Sequence, residues 1–288
     1  MAALWYTSHS LLRTPPAATP SLMAPYDFNA PDTDIILRSS DGKEFRVHRL
    51  ILSLSSSVFQ GMFTLPQSTE SPSPVPTVHL SDPSDILEPF IQHLYPRSSP
   101  KITDLSMWAA LYTIAEKYDA EAVMESLRET LIPRFLETSP LRVYALASRW
   151  GFKEEAKTAS SRTLTMDILK NFPREDAELM GGGACQQLYL LHFNRREAAR
   201  ALVEYHPLPV IPKDSDCKCG PLNSKRLAPA LCKRVSARPW LTVEELSEEI
   251  AWGDCPKNCG SKCRHAIKHI HTYFKSLLKA ISDLPQTI

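Results

Sequence analysis

Within the run DTDIILRSSDGKEFRVHRLILSLSSSVFQGMF, from Asp32 to Phe63, the spacing of apolar residues changes from strand-like to helix-like. Ile35 and Leu37 fall on one side of a strand, Phe45 and Val47 alternate in the same way, and Ser39-Ser40-Asp41-Gly42 between them supplies turn residues. The two runs are therefore expected to pair as an antiparallel hairpin with one half-buried face. Beyond it, Ile51, Leu54, Val58 and Met62 recur at helical spacing, and Leu50, Phe59 and Phe63 widen the stripe. This predicts one amphipathic helix, with Ser53, Ser55, Ser56 and Ser57 on its other faces permitting close packing. A Ser/Pro-rich loop, Pro66 to Pro76, precedes a strand at Val78 to Leu80, and a short helix then runs from Asp82-Pro83 to Tyr95, where Pro96 to Pro100 breaks the chain.

From Leu105 the pattern is helical for most of the remaining length. Trp108, Leu111, Ala115 and Tyr118 share one face; Val123, Leu127 and Leu131 share the next, with Asp119 as the expected cap. Val143, Ala147 and Trp150 lead to Gly151 as a helix stop, and Phe152, Ala156, Ala159 and Leu164 form a partner helix. Gly181-Gly182-Gly183 reads as a flexible break; no strand precedes it and no Gly-Lys-Ser/Thr follows, so it is not a phosphate loop. Ala184 to Tyr205 fits a helix carrying Leu188, Leu191, Ala198 and Leu202, with the basic cluster Arg195 to Arg200 on its solvated face. Thr242 and Glu245 form a capping box, with Leu241 and Leu246 as a staple, for a helix from Val243 to Trp252. Ile267, Ile270, Phe274, Leu277 and Ile281 line the face of a last helix.

Several of these positions carry more than periodicity. Asp32 and Asp34 precede the first strand, His48 ends the second, and Leu52, Ser53, Ser57, Phe59, Met62 and Phe63 follow; downstream come Val78-His79-Leu80, the segment FIQHLY ending at Tyr95, and LYTIAEKYDAEAVMESL from Leu111 to Leu127. On these residues the region resembles a BTB/POZ domain. The resemblance implies an α+β fold, a small β-sheet packed with helices, over residues 26–137, followed by an all-helical C-terminal region. It also implies a protein-interaction module without catalysis. The helix pair after Pro140 resembles the BACK-like extension of such adaptors, placed at 138–206; residues 1–25 are then a disordered tail and 207–288 a basic, cysteine-containing helical region.

The same resemblance suggests partners. Adaptor-type relatives bind a cullin scaffold and commonly carry a hydrophobic-x-acidic motif in the helix before a Leu-Tyr pair. The matching positions are Leu87, Glu88 and Pro89, so proline replaces the acid. That substitution removes a charged contact and constrains the helix start, which weighs against cullin binding. Relatives that dimerise use an extra strand and helix ahead of the Asp-x-Asp segment; Tyr26 to Pro31 offers no amphipathic helix, so a homodimer is left open.

Composition narrows the alternatives. With 288 residues, 43% of them apolar, and a net charge of +1, the chain can bury a core and gives no global argument for nucleic acid. No run is apolar for long enough to cross a bilayer, and Met1 to Pro25 lacks a signal-peptide core, so cytoplasm or nucleus is expected, with Met23 as an alternative start. In a reducing compartment the seven cysteines are not a disulfide framework.

Six of those cysteines nevertheless cluster from Cys217 to Cys263, with His265 and His269 just beyond. Zinc takes four nitrogen or sulfur ligands, and Cys217, Cys219, Cys259 and Cys263 are the candidate set for a structural ion. Their spacing departs from Cys-x-x-Cys knuckles, so buried or free thiols remain the competing reading. The many lysines and arginines around them read as a solvated face before a nucleic-acid surface, since no stacking pattern accompanies them. His48 reads as a structural histidine bonded to backbone, in preference to a metal ligand or base. No nucleophile elbow, paired carboxylates or dinucleotide loop is visible, so an enzyme is not expected. The sequence thus reads as a protein-interaction adaptor, with a substrate adaptor of a cullin-type ubiquitin ligase as its specific form. The alternative is a nuclear transcriptional or chromatin regulator using a BTB domain and a zinc-supported basic tail.

Overall fold

The structure is a computed structural model that describes residues 28, 31–65, 75–96, 100–205, 231–235 and 261–288; side chains of 261–271 fall outside the description. The N-terminal tail, the loop from Pro66, the Thr242–Glu245 capping box with its helix, and Cys217, Cys219, Cys255 and Cys259 lie outside the described residues. The side chains of Cys263, His265, Ile267, His269 and Ile270 do so as well. The chain divides into two units between Glu125 and Ser126.

The first unit begins with the expected hairpin. Strands β1 (Ile35–Arg38) and β2 (Glu44–Val47) pair antiparallel, Ile35 opposite Val47 and Leu37 opposite Phe45. Gly42, at φ +88°, closes the turn in the left-handed region that glycine enters without a Cβ penalty. The turn is also tied to the next layer: Asp41 accepts hydrogen bonds from the Ser84 N–H (2.9 Å) and hydroxyl (2.6 Å) at the start of α3 (Ser84–Leu94). Hydrogen bonds from Ser39 and Ser84 hold the Asp41 carboxyl down to about 2. Strand β3 (Thr77–His79) pairs parallel to β1, giving the order β2-β1-β3. A central β1 has a consequence that alternation did not show, because Ile36 is buried along with Ile35 and Leu37.

The single helix expected after the hairpin is two. Helix α1 (Arg49–Ser55) stops at Ser56, whose backbone is extended at φ −151°, ψ 122°, and α2 (Ser57–Thr64) restarts from it. Ser56 makes the break because its hydroxyl oxygen caps α2 by accepting from the Phe59 N–H at 3.1 Å, while the hydroxyl donates to the Tyr118 carbonyl. The inward face is centred on Leu52 and Phe59, both fully buried, and not on Ile51, Leu54, Val58 and Met62. Leu54 is 79% exposed, and the other three are only half-buried. Phe59 is drawn inward by stacking on Tyr118 at 4.8 Å, a contact with a residue remote in sequence that local periodicity cannot register.

Helix α3 packs on α4 (Leu105–Lys117), and α5 (Glu121–Phe135) follows a tight turn. Asp119 in that turn sits at φ +49°, and its carboxylate accepts the Ser57 hydroxyl, a tie to α2 where a cap for α5 was expected. Asp104 caps α4 through the Met107 N–H at 3.0 Å. Pro89 lies inside α3, not at its start; it lacks the N–H that would bond one turn back, and α3 nonetheless runs on to Leu94.

In the second unit, α6 (Pro140–Arg149) and α7 (Lys153–Thr163) form the expected hairpin, turned by Gly151 at φ +71°. Both ends of the α6 turn obey local rules, with proline in the first turn and glycine after the last. The triple glycine is a kink and not a gap: α8 runs from Arg174 to Tyr205, and only Gly181 (φ 77°, ψ 162°) leaves helical geometry. Buried Ala199 and Val203 of α8 pack with Leu231 and Val235 and with Phe274, Leu277 and Ile281 of α9 (Ser261–Ser282).

The basic cluster of α8 departs from its expected role. Arg195 is only 8% exposed, and its guanidinium donates to the carbonyls of Ile281 (3.0 Å), Leu284 (2.8 Å) and Pro285 (3.0 Å). A helix end leaves its last carbonyls without intrahelical partners, and the rigid fork of arginine can serve several at once. Arg200 keeps the solvated role, pairing with Glu204 at 3.1 Å.

One turn before Arg195, His192 is buried and its Nε2 lies 3.0 Å from Thr163 Oγ1, whose proton goes to the Ser160 carbonyl. Nε2 therefore carries the hydrogen and donates. Burial pushes this imidazole down to about 4, with Asp167 opposing and Arg195 reinforcing the shift. A histidine depressed on folding stabilises the native state fully above its unfolded pKa near 6.5 and loses that contribution as pH falls towards 4. Between pH 7 and 4 the loss is on the order of 3 kcal/mol. Urea titrations of the full chain and of His192→Gln at both pH values should show a markedly smaller acid loss in the variant.

Candidate protein-interaction surface

Helix α1 is seated by residues that the resemblance singled out. The His48 N–H donates to the Tyr95 hydroxyl at 3.0 Å, and the ring reaches the same hydroxyl through Nδ1 at 3.1 Å and the Asp32 carboxylate through Nε2 at 3.3 Å. The ring thus meets at least two side chains, one from α3's C-terminal end and one from ahead of β1. His48 occupies the cap position of α1 without capping it through its own side chain; Asp34 supplies an acceptor from the preceding turn, 2.7 Å from the Arg49 N–H. Arg49 then lies over the Phe63 ring at 5.0 Å and donates to the Phe63 carbonyl at 3.2 Å, which joins α1 to the far end of α2. Asp32, Asp34, His48 and Tyr95 therefore work together, fixing the direction in which α1 leaves the sheet.

The remaining marked residues divide between core and rim. Leu52, Phe59 and Leu87 are fully buried, and Ser53, Met62 and Phe63 are half-buried. Glu88 is ion-paired to Lys43 of the hairpin at 2.5 Å. The hydrophobic member of the Leu87-Glu88-Pro89 motif is thus inside the fold, and its middle member is engaged within the unit.

What the domain offers outward lies elsewhere. Leu50 and Leu54, one helical turn apart on α1, are 68% and 79% exposed, with Leu52 holding the opposite face in the core. The two leucines, four residues apart on an anchored helix, make a short exposed apolar stripe. Sequence reasoning placed both in the core; the signal it passed over was the Ser55-Ser56-Ser57 run, whose middle serine has cap chemistry and ends α1.

Among the described residues no three or more His, Cys, Asp or Glu side chains gather as a metal site, and no helix is long and apolar enough to cross a membrane. Cys185 and Cys232 are free thiols. The candidate zinc ligands Cys217, Cys219 and Cys259, and the Cys263 side chain, lie outside the described residues.

Residues 28–134 match the family model for the BTB/POZ domain. Among solved structures the chain is similar to the BTB domain of zebrafish PATZ1, with 20% identity over 34% of this chain and 74% of that one and a TM-score of 0.27. No curated protein matches the chain. The protein thus carries a BTB/POZ domain, with its three-stranded sheet and surrounding helices, followed by a helical C-terminal region. Domains of this kind are in general protein-interaction modules and not enzymes.

Proposed function

We propose that this protein is a non-catalytic adaptor of the cytoplasm or nucleus that recruits another polypeptide through the outward face of α1. The observation that carries this reading is the pairing of Leu50 and Leu54 in water on a helix whose base is fixed by Asp34, His48 and Tyr95. Apolar anchors on a rigid element lose little entropy when a partner covers them, and a few such anchors dominate interface energy.

The double variant Leu50→Glu/Leu54→Glu should fold like the wild type, since both positions face solvent. In affinity purification of the full chain it should lose the partners that the wild type retains, with any purified partner bound about tenfold or more weaker. An unchanged set of partners at unchanged affinity sinks the reading. A purified cullin scaffold is the first partner to test, because the ubiquitin-ligase form of the adaptor predicts capture that depends on α1. The buried Leu87 and paired Glu88 support a contact that does not run through the Leu87-Glu88-Pro89 motif. Salt-titrated DNA binding together with stoichiometric zinc in the purified, reduced chain would instead favour the nuclear regulator.

A further inference from the structure

The second unit holds an open groove of about 830 Å³ between the α6–α7 corner and the middle of α8. Its floor is apolar, built from Phe152, Ala156 and Leu191, with Leu190 on the wall 43% exposed. Two carboxamides, Gln187 and Asn194, line the same side of α8, and Lys153 stands at the opposite rim. All three are exposed, and among the described residues none makes a side-chain hydrogen bond or ion pair. Pro285, Thr287 and Ile288 lie along the groove without regular secondary structure, the Ile288 N–H 3.4 Å from Ser160 Oγ and the Pro285 carbonyl held by Arg195. The groove already accommodates one irregular stretch of chain on its flank.

We infer that this groove binds an extended, acidic peptide segment of a partner protein, with Gln187 and Asn194 grasping its backbone, Leu190 and Leu191 receiving an apolar side chain, and Lys153 pairing with its carboxylate. Seven residues along α8 separate the two amides by about 10 Å at 1.5 Å per residue. A polyproline-II-like chain presents the same backbone orientation every three residues, about 9 Å apart, so both amides can meet equivalent peptide groups. Each amide brings a donor and an acceptor, which suits backbone recognition with little demand on sequence. Lys153 sets the charge: an exposed ammonium on a groove whose lining residues include no carboxylate side chain favours an anionic ligand and disfavours a basic one. This goes beyond the α1 surface, stands on the second unit alone, and can fail without touching the adaptor reading.

The test uses the full chain and a fluorescein-labelled peptide, acetyl-Pro-Asp-Leu-Pro-Asp-Leu-Pro-amide, with a second peptide carrying lysine in place of aspartate. Fluorescence polarisation should show saturable binding of the aspartate peptide and not of the lysine peptide. Leu190→Asp and Lys153→Glu, both at exposed positions and expected to melt like the wild type, should each weaken that binding about tenfold or more, and Lys153→Glu should gain the lysine peptide. No saturable binding of the aspartate peptide, equal binding by wild type and variants, or a Leu190→Asp change in the sedimentation of the chain alone, which would mean a second copy fills the groove, overturns the inference.

Discussion

Replacing Phe59 by alanine should destabilise the first unit by about 3–5 kcal/mol, while Leu54→Ala, five residues earlier on the same serine-rich segment, should change stability by about 0.5 kcal/mol or less. Phe59 is fully buried, stacked against Tyr118 at 4.8 Å and Phe63 at 6.0 Å. Tyr118 in turn stacks on Phe90 of α3 at 5.6 Å and donates its hydroxyl to Asp82 at 2.6 Å, so the ring of Phe59 fills the centre of a layer that links α2, α3 and the end of α4. Alanine leaves a cavity there that these rigid rings cannot close. Leu54 surrounds itself with water, and its truncation removes nothing from the core. Urea denaturation of the full chain, followed by near-ultraviolet circular dichroism, reads both variants. Similar losses from the two would mean that α1 and α2 form one helix with Leu54 on its inner face.

Arg195→Met should destabilise the second unit by about 3 kcal/mol, because it removes charge-assisted donors from three carbonyls while keeping most of the side-chain volume. The deprived acceptors belong to Ile281, Leu284 and Pro285, at the end of α9 and just beyond it. Amide hydrogen exchange should therefore speed up first in the last turn of α9, ahead of Phe274 and Leu277 in the buried face. Arg195→Lys should recover only part of the loss, since a single ammonium cannot reproduce the two-armed geometry. If Arg195→Met left both the melting temperature and the exchange pattern unchanged, the buried guanidinium would be no anchor for α9.

These two variants mark where local pattern ended. The hairpin was legible because Ile35, Leu37, Phe45 and Val47 alternate and Gly42 supplies the one backbone conformation the turn requires. The α6–α7 hairpin was legible for similar reasons, with Pro140 at its start and Gly151 at its turn. The marked residues Asp32, Asp34, His48 and Tyr95 were visible in the sequence as a set, but their shared task of seating α1 needed three-dimensional distances. Leu50 and Leu54 were seen only as part of an apolar stripe, and Arg195 only as one charge in a basic run.

The sequence by itself determined the β1–β2 hairpin and the α6–α7 corner, since these follow from periods of two and of three to four residues and from glycine and proline positions read within a short window. Tertiary structure alone decided which of two adjoining apolar faces of the Arg49–Thr64 segment turns inward, and which arginine of α8 leaves the solvent. Both choices depend on partners far along the chain, Tyr118 for Phe59 and the end of α9 for Arg195. A local pattern states that a face is apolar or that a side chain is charged; only packing and hydrogen bonding between distant segments settle where each is worth burying.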